Sequence, residues 1–167
     1  MSIMSSRLIR HELCKEELKN YGAHITDIEG IMFLVKFKLE DYKITYAYHL
    51  NEDNTYYLER VKPYFLSVGT YKTEEEIVEI IKVDIDQFRN AIHSSNFNQF
   101  IEIDNHISQL VRLFEDLYLY YNISKEDLSK LDDDVDNILE TIKDIMKRSA
   151  RVYTKKDPDI LNEHIKF

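Results

Sequence analysis

The chain has 167 residues, 44% of them hydrophobic, with 22 basic against 31 acidic side chains and a net charge of −9 at pH 7. That length and hydrophobic share suit one domain with its own core and exclude disorder as the starting assumption. The acidic balance argues against binding nucleic acid by neutralising phosphates, and against docking on an anionic membrane.

Residues 5–21 place Leu8, Leu13, Leu18 and Tyr21 at roughly helical spacing among charges, and Asn20-Tyr21-Gly22 offers a stop, so a helix is expected. The period then changes to two. Phe33, Val35, Phe37 and Leu39 alternate with Met32, Leu34, Lys36 and Lys38; after Glu40-Asp41 the pattern resumes with Tyr42, Ile44, Tyr46, Tyr48 and Leu50 on one face. Two alternating runs about a short acidic turn predict an antiparallel hairpin with one face to a core. A further turn, Asn51 to Asn54, leads to a third strand from Thr55 to Val61, which Pro63 ends or places on an edge.

Thr73 with Glu76 forms a capping box that opens a helix to about His93, with Ile77, Ile80, Ile81, Ile85, Phe88 and Ile92 on its apolar face. Residues 96–122 carry two incompatible patterns. Phe100, Ile103, Ile107, Leu110, Phe114, Leu117 and Tyr121 recur at 3-4-3-4-3-4, the seam of an amphipathic helix. The same stretch also divides at Asp104-Asn105, a turn-prone pair, into two runs rich in strand-forming residues. Ser124 and Asp127 then start a last helix, about 124–150, on which Leu128, Leu131, Val135, Ile138, Ile142 and Ile145 repeat at 3-4-3-4-3. Acids lie early in that helix and bases late, matching its dipole at both ends.

These elements add up to a single α+β domain over residues 1–152, with a tail at 153–167. Its order is a helix, a three-stranded antiparallel meander and a helix, followed either by a β-hairpin plus a long C-terminal helix or by a C-terminal helical hairpin. In the first form the layout resembles the type III secretion chaperone-like fold, the group of Tir-type chaperones and YbjN-like domains. The residues that carry the resemblance are the hairpin EGIMFLVKFKLEDYKITYAY, the strand TYYLERVKPYF, the helix EEEIVEIIKVDIDQF, a hairpin over FIEIDNHISQL and a final helix entered at ISKEDL. The resemblance implies a regulatory or escort role exercised through a protein partner.

Chemistry-bearing patterns are sparse. Glu76 and Glu79 make an ExxE pair, and Glu102 and His106 share a helical face at i, i+4, a spacing that can ligate a divalent ion. These four are the candidate ligands of a metal-dependent helical hydrolase, although an all-α pyrophosphatase would need ExxD where this chain has Glu102-Ile103-Asp104-Asn105. Asp132, Asp133, Asp134 and Asp136 lack the spacing and glycine of a calcium loop and read as a solvated, dipole-matched face. Gly22, Gly30 and Gly69 stand alone, so no phosphate-cradling loop is expected and no cofactor with it. Cys14 is the sole cysteine, which excludes an intrachain disulfide and a thiolate cage; its pairing with His11 lacks an orienting third group.

Tyrosine is the compositional departure, with twelve copies and no tryptophan. Tyr42, Tyr46 and Tyr48 share a strand face, and Tyr118, Tyr120 and Tyr121 cluster later; both sets are candidates for a partner or dimer surface as well as for a core. The expected function is therefore a non-enzymatic protein-interaction module, possible as a homodimer, that binds through a sheet or a hydrophobic helix face. A metal-dependent hydrolase and an acidic antagonist of a basic nucleic-acid-binding protein are the alternatives. Charges through the first twenty residues, and the lack of the roughly 18–20 apolar residues that a membrane span needs, lead to an expected cytoplasmic location.

Overall fold

The structure is a computed structural model that describes residues 32–158, with Ile9, Leu13, Glu16 and Asn20 before them. The expected helix at 5–21 falls outside the described residues except at those four positions, each of which is helical. Four strands, β1 (Met32–Leu39), β2 (Tyr42–Leu50), β3 (Tyr56–Lys62) and β4 (Leu66–Tyr71), precede three helices, α1 (Glu74–Ala91), α2 (Phe97–Tyr120) and α3 (Lys125–Arg148). The strands form one antiparallel meander in the order β1-β2-β3-β4.

Alternation sets the register. Phe33, Val35 and Phe37 stand opposite Tyr48, Tyr46 and Ile44, so every apolar residue of the pattern lands on the same side of the sheet. Glu40, at φ 52°, turns the β1–β2 hairpin, and Asn54, at φ 61°, turns the next one; asparagine tolerates this left-handed conformation well. Helix α1 lies on the apolar side of the sheet. Ile77, Ile81, Ile85 and Phe88 recur along its inner stripe and meet Ile44, Tyr46, Tyr48 and Leu58 in the core, which Phe97 of α2 closes. At α1's start Thr73 accepts from the Glu76 backbone N–H, while the Glu76 carboxylate accepts from the backbone N–H of Lys72 and Thr73.

Two expectations are corrected here. The meander has four strands rather than three. Pro63 does end β3, but the chain turns at once into β4, and β3 is an inner strand. Gly69 disguises β4 in the sequence. It sits at φ 148° beside a register shift between Leu58 and Glu59, and an added Cβ would lie 3.3 Å from the Tyr71 hydroxyl. Glycine in a strand weakens the alternation signal while meeting a backbone need at an irregularity.

The second correction concerns residues 96–122, where α2 runs unbroken through Asp104-Asn105. The β-hairpin form of the layout is therefore not what this chain builds. The seven-position seam outweighs the turn propensity of one Asp-Asn pair, whose cost inside a helix is only a few tenths of a kcal/mol per residue, to order of magnitude. After α3 the chain returns to α1: Asn90 Nδ2 donates to the Val152 carbonyl at 3.4 Å, and Lys155 lies 3.3 Å from Asp86. The start of the expected tail is thus fastened to the domain.

Candidate interaction surface

Two charged side chains occupy positions where the periodicities call for apolar ones. Arg60 shares the core-facing side of β3 with Tyr56 and Leu58, and Asp84 lies three residues after Ile81 and four before Phe88 on the inner stripe of α1. Arg60 Nη1 donates to Asp84 Oδ1 at 2.9 Å and to Oδ2 at 2.7 Å, and the Tyr46 hydroxyl donates to Oδ2 at 2.6 Å. The guanidinium also lies over the rings of Tyr64 and Phe88, 4.4 and 4.9 Å from their centroids. Arg60 is 3% exposed, so its charge has almost no solvent contact and depends on these partners.

Asp104 of α2 approaches the same cluster. Its Oδ2 and the Arg60 Nε are buried and make no hydrogen bond among the described residues. Burial pushes the Asp104 carboxyl above its ordinary value, and attraction to Arg60 offsets only part of that. A raised folded-state value means that the protonated form is favoured in the fold, a contribution lost as pH rises through it. Asp104→Asn is therefore expected to raise stability at pH 7, with the gain fading on acidification towards pH 4. Urea unfolding of both chains at the two pH values measures it; a destabilised variant at pH 7 would show that the Arg60 attraction dominates.

The cluster locks β3, α1 and the root of α2 together. Burial also raises the Tyr46 hydroxyl above its usual range, and the hydrogen bond to Asp84 adds to it. Tyr48, which donates to Glu74, is pushed up to about 12, again first by burial and then by that carboxylate. The unfolded chain releases this proton near 10.0 and the folded one near 12, so this stabilising contribution is complete below 10.0 and lost as pH rises through 12. Thermal midpoints measured from pH 9 to 12 should fall across that window, and Tyr48→Phe should flatten the fall.

The residues singled out in the sequence separate into distinct settings. Tyr46 and Tyr48 are buried beneath α1, and the partly buried Tyr42 donates to Asn98 Oδ1 at 2.7 Å while its ring meets Phe97 edge-on. Tyr118, Tyr120 and Tyr121 stand 64%, 77% and 68% exposed at the far end of α2. Of the candidate ligands, Glu76 is taken up by the capping box, Glu79 pairs with Lys82 at 2.6 Å, and Glu102 and His106 are exposed on α2. No three His, Cys, Asp or Glu side chains converge as a metal site among the described residues.

Among the described residues, most of the exposed large hydrophobic side chains lie on α2 and α3. Each is 24 residues long, about 36 Å at the helical rise. Helix α2 leaves the core at Phe97, its one buried residue, and the chain turns at residues 121–124; α3 then leads back to the segment fastened on α1. The two helices thus run out and back as a hairpin, joined through residues 121–124 and returned to the base at Val152. At the elbow Leu117 and Tyr121 face Asp127, Lys130 and Leu131 across an open cleft of about 430 Å³.

Neither helix buries its seam on the other. Phe100, Ile103, Ile107, Leu110 and Phe114 are 44–51% exposed, and Val135, Ile138, Ile142 and Ile145 are 42–49% exposed. Leu139 and Met146 widen the stripe of α3, and Val111, Leu113 and Leu119 make the outer half of α2 apolar on most sides. A helix with apolar residues nearly all round is ordinarily buried, and large exposed apolar patches are where soluble proteins commonly meet other proteins, membranes or ligands. The seams themselves were legible from spacing. That they stay open was not, because a heptad looks the same whether its partner lies in the chain or outside it.

No helix among the described residues is long and apolar enough to cross a membrane. No family model matches this chain, and neither a curated protein nor a solved structure does.

Proposed function

We propose that this chain is a non-enzymatic protein-interaction module: a compact sheet-and-helix base that presents the α2–α3 hairpin as its docking element. One observation carries the reading. Two apolar seams, exposed from Phe100 to Phe114 and from Leu131 to Ile145, lie open to solvent while the base has a core of its own. Helices in proteins draw most of their stability from packing an amphipathic face rather than from propensity, so the natural state of these two is one in which the seams are covered by protein. A 3-4 repeat favours a helical partner, whose side chains fit between successive seam residues. An escort or regulatory role suits such a module, since what it offers is binding surface.

Site-specific photocrosslinking tests this in the cells that make the protein. A photoreactive residue at Leu110 or Ile138 should give discrete protein adducts, and one at Lys36 on the open side of the sheet should not. Equal, diffuse labelling at all three positions would defeat the proposal.

A further inference from the structure

We infer that the protein covering the seams is a second copy of this chain, paired antiparallel along α3, so that two hairpins close into one four-helix bundle. This rests on the reading of the hairpin as a docking element and adds the identity of the partner. Three observations on α3 and α2 support it.

The first is charge. Lys125 to Asp136 carries six acids and two bases, whereas Asn137 to Arg148 carries two acids and three bases. A parallel pair would lay the two acidic halves side by side. An antiparallel pair sets each acidic half against the basic half of the other copy, as a two-fold interface requires.

The second is register. The 3-4 repeat assigns Leu128, Val135 and Ile142 to one seam position, and Leu131, Ile138 and Ile145 to the other. Reversed on itself about the midpoint between Asp136 and Asn137, the helix brings every member of the first set opposite one of the second. Leu128 meets Ile145, Leu131 meets Ile142, and Val135 meets Ile138, with no layer left over. In this alignment the flanking Asp127 stands opposite Arg148 of the other copy. The seam is thus self-complementary on reversal, as a two-fold pair of copies requires.

The third is area. A half-exposed aliphatic side chain leaves roughly 60–80 Å² of apolar surface to bury. The exposed Leu131, Val135, Ile138, Ile142 and Ile145 of α3, with Leu139 and Met146, thus offer about 420–560 Å² per copy, short of the ~800 Å² per partner of a stable interface. Adding the exposed seam residues of α2 brings the total to about 800–1,000 Å². Both helices are therefore needed. Two antiparallel hairpins with short elbows meet that requirement as a four-helix bundle.

Sedimentation of the full chain between 1 and 100 µM is the test. The expected result is a species of twice 20.0 kDa that Ile138→Asp converts to monomer, with association weakened roughly a hundredfold. The sheet base should keep its circular dichroism and its unfolding transition, because Ile138 makes no part of the core. Orientation is read in a Cys14→Ser background. Chains bearing Val135→Cys, mixed with chains bearing Ile138→Cys, should oxidise to mixed dimers in preference to either self-pair. Preferential self-pairing would mean a parallel assembly and overturn the inference. A 20.0 kDa monomer at 100 µM would overturn it too; if Leu110 and Ile138 still crosslinked to another protein, the docking reading would stand and only the identity of the partner would fall. Protection of α3 amides from exchange in such a monomer would put a segment of the chain itself on the seam, again overturning the second copy.

Discussion

Asp84→Ala is expected to remove about 3 kcal/mol of folding stability, the lower end of the range for breaking a buried ion pair. The lower end applies because the Asp84 side chain keeps 21% exposure, and water can partly replace it, while Arg60 at 4% has no such relief. The loss comes less from the attraction itself than from what remains: a guanidinium that can neither reach solvent nor release its proton. Tyr46 would lose its acceptor in the same step. Against a total of roughly 5–15 kcal/mol for a domain of this kind, the variant would sit close to unfolding. Replacing the three residues with Tyr46→Phe, Arg60→Met and Asp84→Leu should recover most of the loss, since the buried guanidinium that Asp84→Ala strands is then gone as well. Urea midpoints of the two chains decide the matter. A single variant that loses under 1 kcal/mol would show that Arg60 finds another partner, and Asp104 is the nearest candidate.

Phe97→Ala should cost about 3–5 kcal/mol, the range for deleting a buried aromatic side chain. Phe97 is 4% exposed and its ring contacts Tyr42, Phe88 and Phe100 at centroid separations of 4.8, 6.2 and 6.0 Å. It also carries a structural duty that the number does not express. Helix α2 begins at Asn96 without a side-chain cap, and its local hold is slight: Ser94 accepts from the Asn96 and Phe97 backbone N–H groups at 3.3 and 3.2 Å. Its root is set by Phe97, by the Phe100 ring against Tyr64, and by Ile101 packed on the core. The alanine chain should therefore show faster amide exchange through the first turns of α2 as well as a lower thermal midpoint. An unchanged midpoint with faster exchange confined to α2 would mean that base and hairpin are energetically separate; Phe97→Leu should restore most of both.

Much of the base was readable before any coordinates. The alternation in residues 33–50 determines strand limits, face and register together, because a slip by one residue would turn Tyr46 and Ile44 outward. The capping box located the start of α1, and Ser124 that of α3, where its hydroxyl accepts from the Asp127 backbone N–H at 3.0 Å. Strand β4 escaped because its irregularity is a backbone property that the Gly69 position expresses only once the Leu58 partner is known. The Arg60–Asp84 pair joins residues 24 apart in the chain, so no local pattern links them. Each did leave a trace: a charge at the third core-facing place of β3, and a charge on the inner stripe of a helix. A charged residue in phase with a core calls for an opposite charge elsewhere in phase with the same core. Here that rule would have paired them.

Among the described residues, every buried hydrophobic of the core lies between Ile44 and Phe97, while the two long helices follow it in the chain. That order has a meaning in time. The sheet pairs only neighbouring strands, the kind of local connectivity that folds fast, so the base can close soon after Phe97 emerges from the ribosome. At ~5–20 residues per second, the ~50 residues of the hairpin then take a further ~3–10 s to appear. Throughout that interval the chain is a finished domain trailing an incomplete adhesive. Folding and assembly are thereby set in sequence: the part that must not aggregate is settled first, and the part built to associate arrives last.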